Sequence, residues 1–121
     1  MPRVIHFELP VDDAKRAAAF YESVFGWNTQ EGEDDEGYWL VTTGSEAPGI
    51  DGAFISKSYA PQLVNIIGVE SIDESLERAV RAGARIVREK KEIPNVGYAA
   101  YIQDPEGNTV GLFETPEGGP A

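Results

Sequence analysis

A chain of 121 residues with one histidine and no cysteine has few ways to do chemistry. Disulfides, thiolate metal sites and cysteine nucleophiles are all excluded. The histidine is His6, in the apolar run Val4–Leu9, and Glu8 follows two positions later. A strand turns alternate side chains to opposite faces, so His6 and Glu8 share one face while Phe7 and Leu9 take the other. An imidazole beside a carboxylate could work as base and orienter. The same pair could also hold a divalent ion weakly, with waters completing its shell. Two donors fall short of the three or more protein ligands that such ions take. The plainer alternative is a histidine hydrogen-bonded to a neighbouring carboxylate or to a ligand. No serine is placed to pair with His6 as a nucleophile. Gly44, Gly49 and Gly52 do not form a phosphate loop ahead of a helix.

The run Thr109–Glu114 follows the same alternation, with Val110 and Leu112 toward a helix and Thr109, Gly111 and Phe113 on the opposite face. Glycine inside a strand marks close approach of a ligand or backbone, or a simple packing notch. Tyr38, Trp39, Phe54, Tyr98, Tyr101 and Phe113 all fall on strand-like runs. Those on an inner face would suit a small apolar or aromatic ligand, although strand aromatics more often belong to the core. The faces of Trp39 and Tyr101 stay open, because a slip of one residue inverts them. The candidate ligand-binding residues are therefore His6, Glu8, Phe54, Gly111 and Phe113. No catalytic residue and no metal-ligand set is assigned.

These residues need elements to hold them. Asp12 and Asp13 are natural N-caps, and Ala14, Ala17, Ala18, Tyr21, Val24 and Phe25 recur at helical spacing. A helix is predicted over Ala14–Phe25, ended by Gly26. Strands follow at 27–31, 38–43 and 50–56, with a solvated turn over Gly32–Gly37 and a linker over Lys57–Pro61. The plan then repeats: a strand at 63–69, the capping box Ser71-Ile72-Asp73-Glu74, and a helix ended by Gly83. Strands at 85–88, 98–103 and 109–114 complete it, with a loop over Lys90–Gly97. Asp104-Pro105-Glu106-Gly107 has type I turn composition. The order is βαβββ twice, an α+β chain of two modules, about 1–58 and about 59–115, with a flexible tail at 116–121. Two such units can curl into an open, cup-shaped mixed sheet with the helices outside.

Acidic residues outnumber basic ones 21 to 10, a formal net charge of −11. That surface repels phosphate backbones and argues against nucleic-acid binding. It could attract a cationic ligand or a basic partner, or serve solubility alone. The start Met1-Pro2-Arg3-Val4 lacks a signal-peptide pattern, and no run approaches the roughly 20 apolar residues of a membrane span. A soluble, cytoplasmic protein is expected.

The opening stretch His6-Phe7-Glu8-Leu9-Pro10-Val11-Asp12-Asp13, with Arg16-Ala17, Phe20-Tyr21 and Phe25-Gly26-Trp27, resembles that of vicinal-oxygen-chelate proteins. So do Val69-Glu70-Ser71-Ile72-Asp73 with Ala82-Gly83-Ala84, the loop Ile93–Tyr98, and Asp104-Pro105-Glu106-Gly107-Asn108 with Leu112 and Glu114. The superfamily includes glyoxalase I, bleomycin-resistance proteins and extradiol dioxygenases. The resemblance covers nearly the whole chain and implies the paired βαβββ fold. In metal-dependent members, first and last strands of each module hold a divalent ion. His6 falls on the first such position, Val64 on its counterpart, and Gly111 where a glutamate is usual; Asp51 lies early in its strand. The resemblance thus implies a branch with a degenerate metal site: a small-molecule binder without a metal cofactor, and by family habit a homodimer. The alternative it carries is a metal-dependent lyase, isomerase or dioxygenase acting on a substrate with vicinal oxygens. Whether the chain is an enzyme stays open, as does a third possibility, a subunit whose partner completes the site.

Overall fold

The computed structural model describes residues 2–32 and 37–116. Its elements are β1 (Arg3–Val11), α1 (Ala14–Phe25), β2 (Asn28–Glu31), β3 (Trp39–Thr42), β4 (Asp51–Ser56), β5 (Val64–Gly68), α2 (Ile72–Arg81), β6 (Arg85–Ile93), β7 (Gly97–Gln103) and β8 (Thr109–Glu114). This is βαβββ twice, an α+β fold of two helices and mixed sheet. Two compact units divide it, one spanning His6–Val64 and the other Met1–Ile5 with Asn65–Ala121. The first unit thus runs past the boundary expected near residue 58. Most of the turn expected over Gly32–Gly37 and all of the expected tail beyond Pro116 lie outside the described residues.

In the first unit the strand order is β2-β3-β4-β1. Asp13 caps α1, its Oδ1 accepting from the Arg16 N–H at 3.1 Å. Gly26 ends the helix at φ 71°, a conformation that costs glycine little. The small residues Ala14, Ala17 and Ala18 let the helix lie close on the sheet, over Phe7, Leu9, Val11, Trp39, Val41 and Phe54. Phe54 and Val41 are fully buried there, and truncating a phenylalanine so placed costs about 3–5 kcal/mol. Gly52 makes room for this layer. A Cβ on it would sit 2.5 Å from both the ring and the carbonyl oxygen of Phe7. Pro10 continues β1 rather than ending it. Its fixed φ suits extended chain, and it stays in register opposite Ile55.

In the second unit the order is β5-β8-β7-β6. Ser71 caps α2, its Oγ accepting from the Glu74 N–H at 3.2 Å. The Ile72 N–H donates to Glu114 Oε1 at 2.8 Å. The apolar face of α2 packs Ile72 and Leu76 against Val69, Ala100 and Leu112. β6 corrects the sequence reading, which ended it at Arg88 and placed a loop from Lys90. It runs on to Ile93, with Lys91 opposite Ala99 and Ile93 opposite Gly97, across two register shifts. As an edge strand exposed along most of its length, it is held by backbone pairing and shows little of the apolar alternation that marks a half-buried strand. The hairpin closes at Asn95, with φ 66°, and Gly97.

Candidate functional site

β1 and β4 run parallel, with His6 opposite Asp51, Glu8 opposite Ala53 and Leu9 opposite Phe54. β3 lies antiparallel to β4, with Leu40 opposite Ala53. Since Phe7, Leu9 and Phe54 pack on α1, alternation puts His6, Glu8, Asp51, Ala53 and Leu40 on the other face. Tyr38, just ahead of β3, brings its phenol to the same place. Its oxygen lies 3.2 Å from His6 Nε2 and is hydrogen-bonded to the Glu8 side chain. Glu8 is only 4% exposed, the one buried charged residue among those described. A carboxylate removed from water is costly unless hydrogen-bonded, and Tyr38 supplies such a bond.

The electrostatics agree with the geometry. Burial, then the negative charge of Glu8 and the bond to it, push the Tyr38 phenol well above its ordinary pKa. It keeps its proton. Burial lowers the pKa of His6 from 6.5, while Asp51 opposes the shift, so the imidazole is neutral near pH 7. Asp51 is itself anchored, its Oδ1 accepting from the Thr43 N–H at 2.9 Å.

The second module offers an internal comparison. Leu9–Phe54 and Ile67–Leu112 are equivalent pairs between parallel first and last strands, each on its own helix side. His6, Glu8 and Ala53 therefore correspond to Val64, Ile66 and Gly111, and Tyr38 corresponds to Ala99. Where the first module carries an imidazole, a carboxylate and a phenol, the second carries apolar groups. Gly111 is buried. The space its Cβ would need is taken by Ile66 Cδ1 and by the Tyr101 ring, whose nearest atom is 3.1 Å away. The glycine is a packing notch, not an opening.

Of the residues singled out from sequence, His6 and Glu8 share a face and both meet Tyr38. Phe54 does not join them. It lies wholly buried on the α1 side with Tyr21 (ring centroids 6.0 Å apart), because its register with Leu9 fixes its face; this corrects its assignment to a ligand-facing surface. Gly111 and Phe113 belong to the other unit, on the face of its sheet away from α2. Trp39 packs on the α1 side, and Tyr101 covers Gly111. Tyr38 was passed over. Its sequence signal is only its parity with Leu40, which becomes informative once the register of β3 is known.

Two surface concavities, of about 250 and 370 Å³, lie against α2 rather than at His6. One is lined by Ser71, Glu74, Ser75 and Arg78, the other by Leu76, Val80 and Ile86. One is formed by the start of α2 with the segment before it, the other by α2 with Ile86 of β6. The α2 N–H groups nearby already bond Ser71 and Glu114. The His6 cluster, with its buried carboxylate, is the stronger site. Among the described residues no three His, Asp, Glu or Cys side chains converge, and His6 and Glu8 are both bonded to Tyr38.

The sequence profile described as the Glyoxalase/Bleomycin resistance protein/Dioxygenase superfamily matches residues 3–112. The chain belongs to this superfamily. Two mycobacterial relatives, from Mycobacterium bovis and Mycobacterium tuberculosis and each named "Putative glyoxylase CFP32", are 28% identical over 115 residues. The match takes in 88% of this chain but 43% of each relative. The chain therefore spans less than half the length of the relatives it matches. Among solved structures, a superfamily member from Vibrio splendidus aligns over 95% of this chain and 99% of its own, with TM-score 0.69 and 17% identity. Methylmalonyl-CoA epimerase from Mycobacterium tuberculosis aligns over 92% and 86%, with TM-score 0.63 and 21% identity. At such identities the likeness is one of fold. Among the described residues, no helix is long and apolar enough to cross a membrane.

Proposed function

We propose that this superfamily member binds a small molecule on the face of β1, β3 and β4 that carries His6, Glu8 and Tyr38, without a full metal site. The observation that carries this reading is the contrast between the modules. The second module places Val64, Ile66 and Ala99 at the positions matching His6, Glu8 and Tyr38, so the fold does not require polar groups at them. A buried carboxylate is a burden on stability that apolar residues would avoid. Its presence in one module only is what a binding surface would explain. His6, Tyr38 and Glu8 would orient the ligand by hydrogen bonds, while the exposed Leu40 offers apolar contact. A homodimer in the cytoplasm is the setting we propose for it.

Fragment screening by two-dimensional NMR tests the reading. Hits should shift the resonances of His6, Glu8 and Tyr38 and lose affinity in Tyr38→Phe. Hits that map instead to α2, with affinity unchanged in that variant, would count against it. A second reading is favoured by one observation, the placement of His6 and Glu8 on one face. With ligands supplied from elsewhere, they could contribute two donors to a divalent ion in a lyase, isomerase or dioxygenase, where the ion would polarise a substrate with vicinal oxygens.

A further inference from the structure

The bonds of Tyr38 to His6 and to Glu8 bear on where the protons of the cluster lie. A phenol has one proton to donate and can accept in addition. Glu8 is buried, and an ionised carboxylate can only accept. A phenol donating to a carboxylate makes a charge-assisted bond, about twice as strong as a neutral one. With Glu8 ionised, the Tyr38 proton goes to Glu8. The 3.2 Å contact between Tyr38 Oη and His6 Nε2 must then be made with a proton from the imidazole. Which ring nitrogen of a histidine is protonated is set by the bond the other atoms impose. We propose that Tyr38 is a positioning residue that, with Glu8 behind it, locks His6 as the Nε2–H tautomer and leaves Nδ1 as a bare lone pair.

The consequence concerns ligand class and rests on the binding reading above. A neutral imidazole anchored through Nε2 accepts at Nδ1 and donates nothing there. The group that meets His6 is therefore a hydrogen-bond donor: a hydroxyl, an amide N–H or an ammonium. An acceptor-only group, such as a carboxylate or a ketone, finds no donor on this ring. Asp51, opposite His6 in the register, adds negative charge to the same neighbourhood and further disfavours anions.

Because His6 is the only histidine, the test is unusually clean. Long-range proton–nitrogen correlation on uniformly ¹⁵N-labelled, ligand-free protein near pH 7.5 reports one imidazole ring. The expected spectrum shows a protonated Nε2 and an unprotonated Nδ1. In Tyr38→Phe the two nitrogen shifts should move toward each other as the tautomers mix. A wild-type ring protonated at Nδ1, or a ring unchanged in Tyr38→Phe, overturns the proposal. The wild-type spectrum decides the point even if the variant folds poorly. It also needs no ligand, so its failure is separate from failure of the binding reading. For the ligand class, paired aromatic fragments differing only in a hydroxymethyl or a formyl group are then titrated. Preference for the hydroxymethyl member, with a shift at Nδ1, supports the assignment; equal binding of both overturns it.

Discussion

If the polar cluster serves a ligand and not the fold, the chain should tolerate its replacement as a unit. The decisive perturbation is a double-mutant cycle on Glu8→Ile and Tyr38→Phe. Isoleucine is chosen because Ile66 occupies the matching position of the second module. Tyr38→Phe alone strips Glu8, 4% exposed, of its phenol donor. A hydrogen bond to a charged group is worth about 1.5–3 kcal/mol, and the bond to His6 adds about 1, part of which water recovers at a half-buried ring. A loss of about 2–3 kcal/mol follows from these terms. Glu8→Ile alone leaves the phenol with His6 only and should cost about 1 kcal/mol. In the double variant no buried carboxylate remains, and only the half-buried His6 Nε2 loses its phenol partner. Replacing a buried polar network by apolar groups of similar volume is often neutral or stabilising. We expect the double variant within about 1 kcal/mol of the parent, hence a coupling of about 2–3 kcal/mol between the sites. Urea unfolding followed by circular dichroism measures all four corners. A double variant as unstable as the sum of the singles would refute the reasoning, since it would make the cluster part of what holds the fold.

Further outcomes follow from the same structure. Gly52→Ala should destabilise by about 3 kcal/mol, because its Cβ would meet the Phe7 backbone carbonyl as well as the ring. Gly111→Ala should cost less in the same urea assay, because the terminal methyl of Ile66 can turn aside. Ser71→Ala removes the cap of α2 and should cost about 1 kcal/mol, read as a lower urea midpoint. The pH dependence carries a sign. Burial, opposed by Asp51, depresses the pKa of His6 below 6.5, so the unfolded chain takes up this proton more readily. Its stability contribution is present above pH 6.5 and is lost as pH falls through the lower folded value. Subtracting the unfolding midpoints of His6→Gln from those of the parent between pH 5 and 8 isolates this slope. A slope of opposite sign would mean that Glu8 and Asp51 outweigh burial.

The order of elements was legible because the signals were local. Asp13 and Gly26 bracket α1, Ser71 and Gly83 bracket α2, and His6–Leu9 alternate cleanly. The His6–Glu8 pair could be read from the same alternation. Phe54 and Tyr38 could not, since their faces depend on the register of β4 against β1 and of β3 against β4. Nothing in the local sequence states that Leu9 lies opposite Phe54. β6 was cut short for a related reason: an edge strand rich in Lys and Glu looks like a loop until its backbone partner is known. Gly111 was visible as an oddity, but Ile66 and Tyr101, which fill its space, come from two other strands.

The central claim is a ligand site of hydrogen bonds without a full metal centre. Its most direct test is metal content by mass spectrometry on tag-free protein purified without chelators, with His6→Ala in parallel. The account predicts less than a stoichiometric divalent ion in either protein. One equivalent of an ion in the parent, lost in His6→Ala, would contradict it and make His6 a ligand in a metal-dependent enzyme.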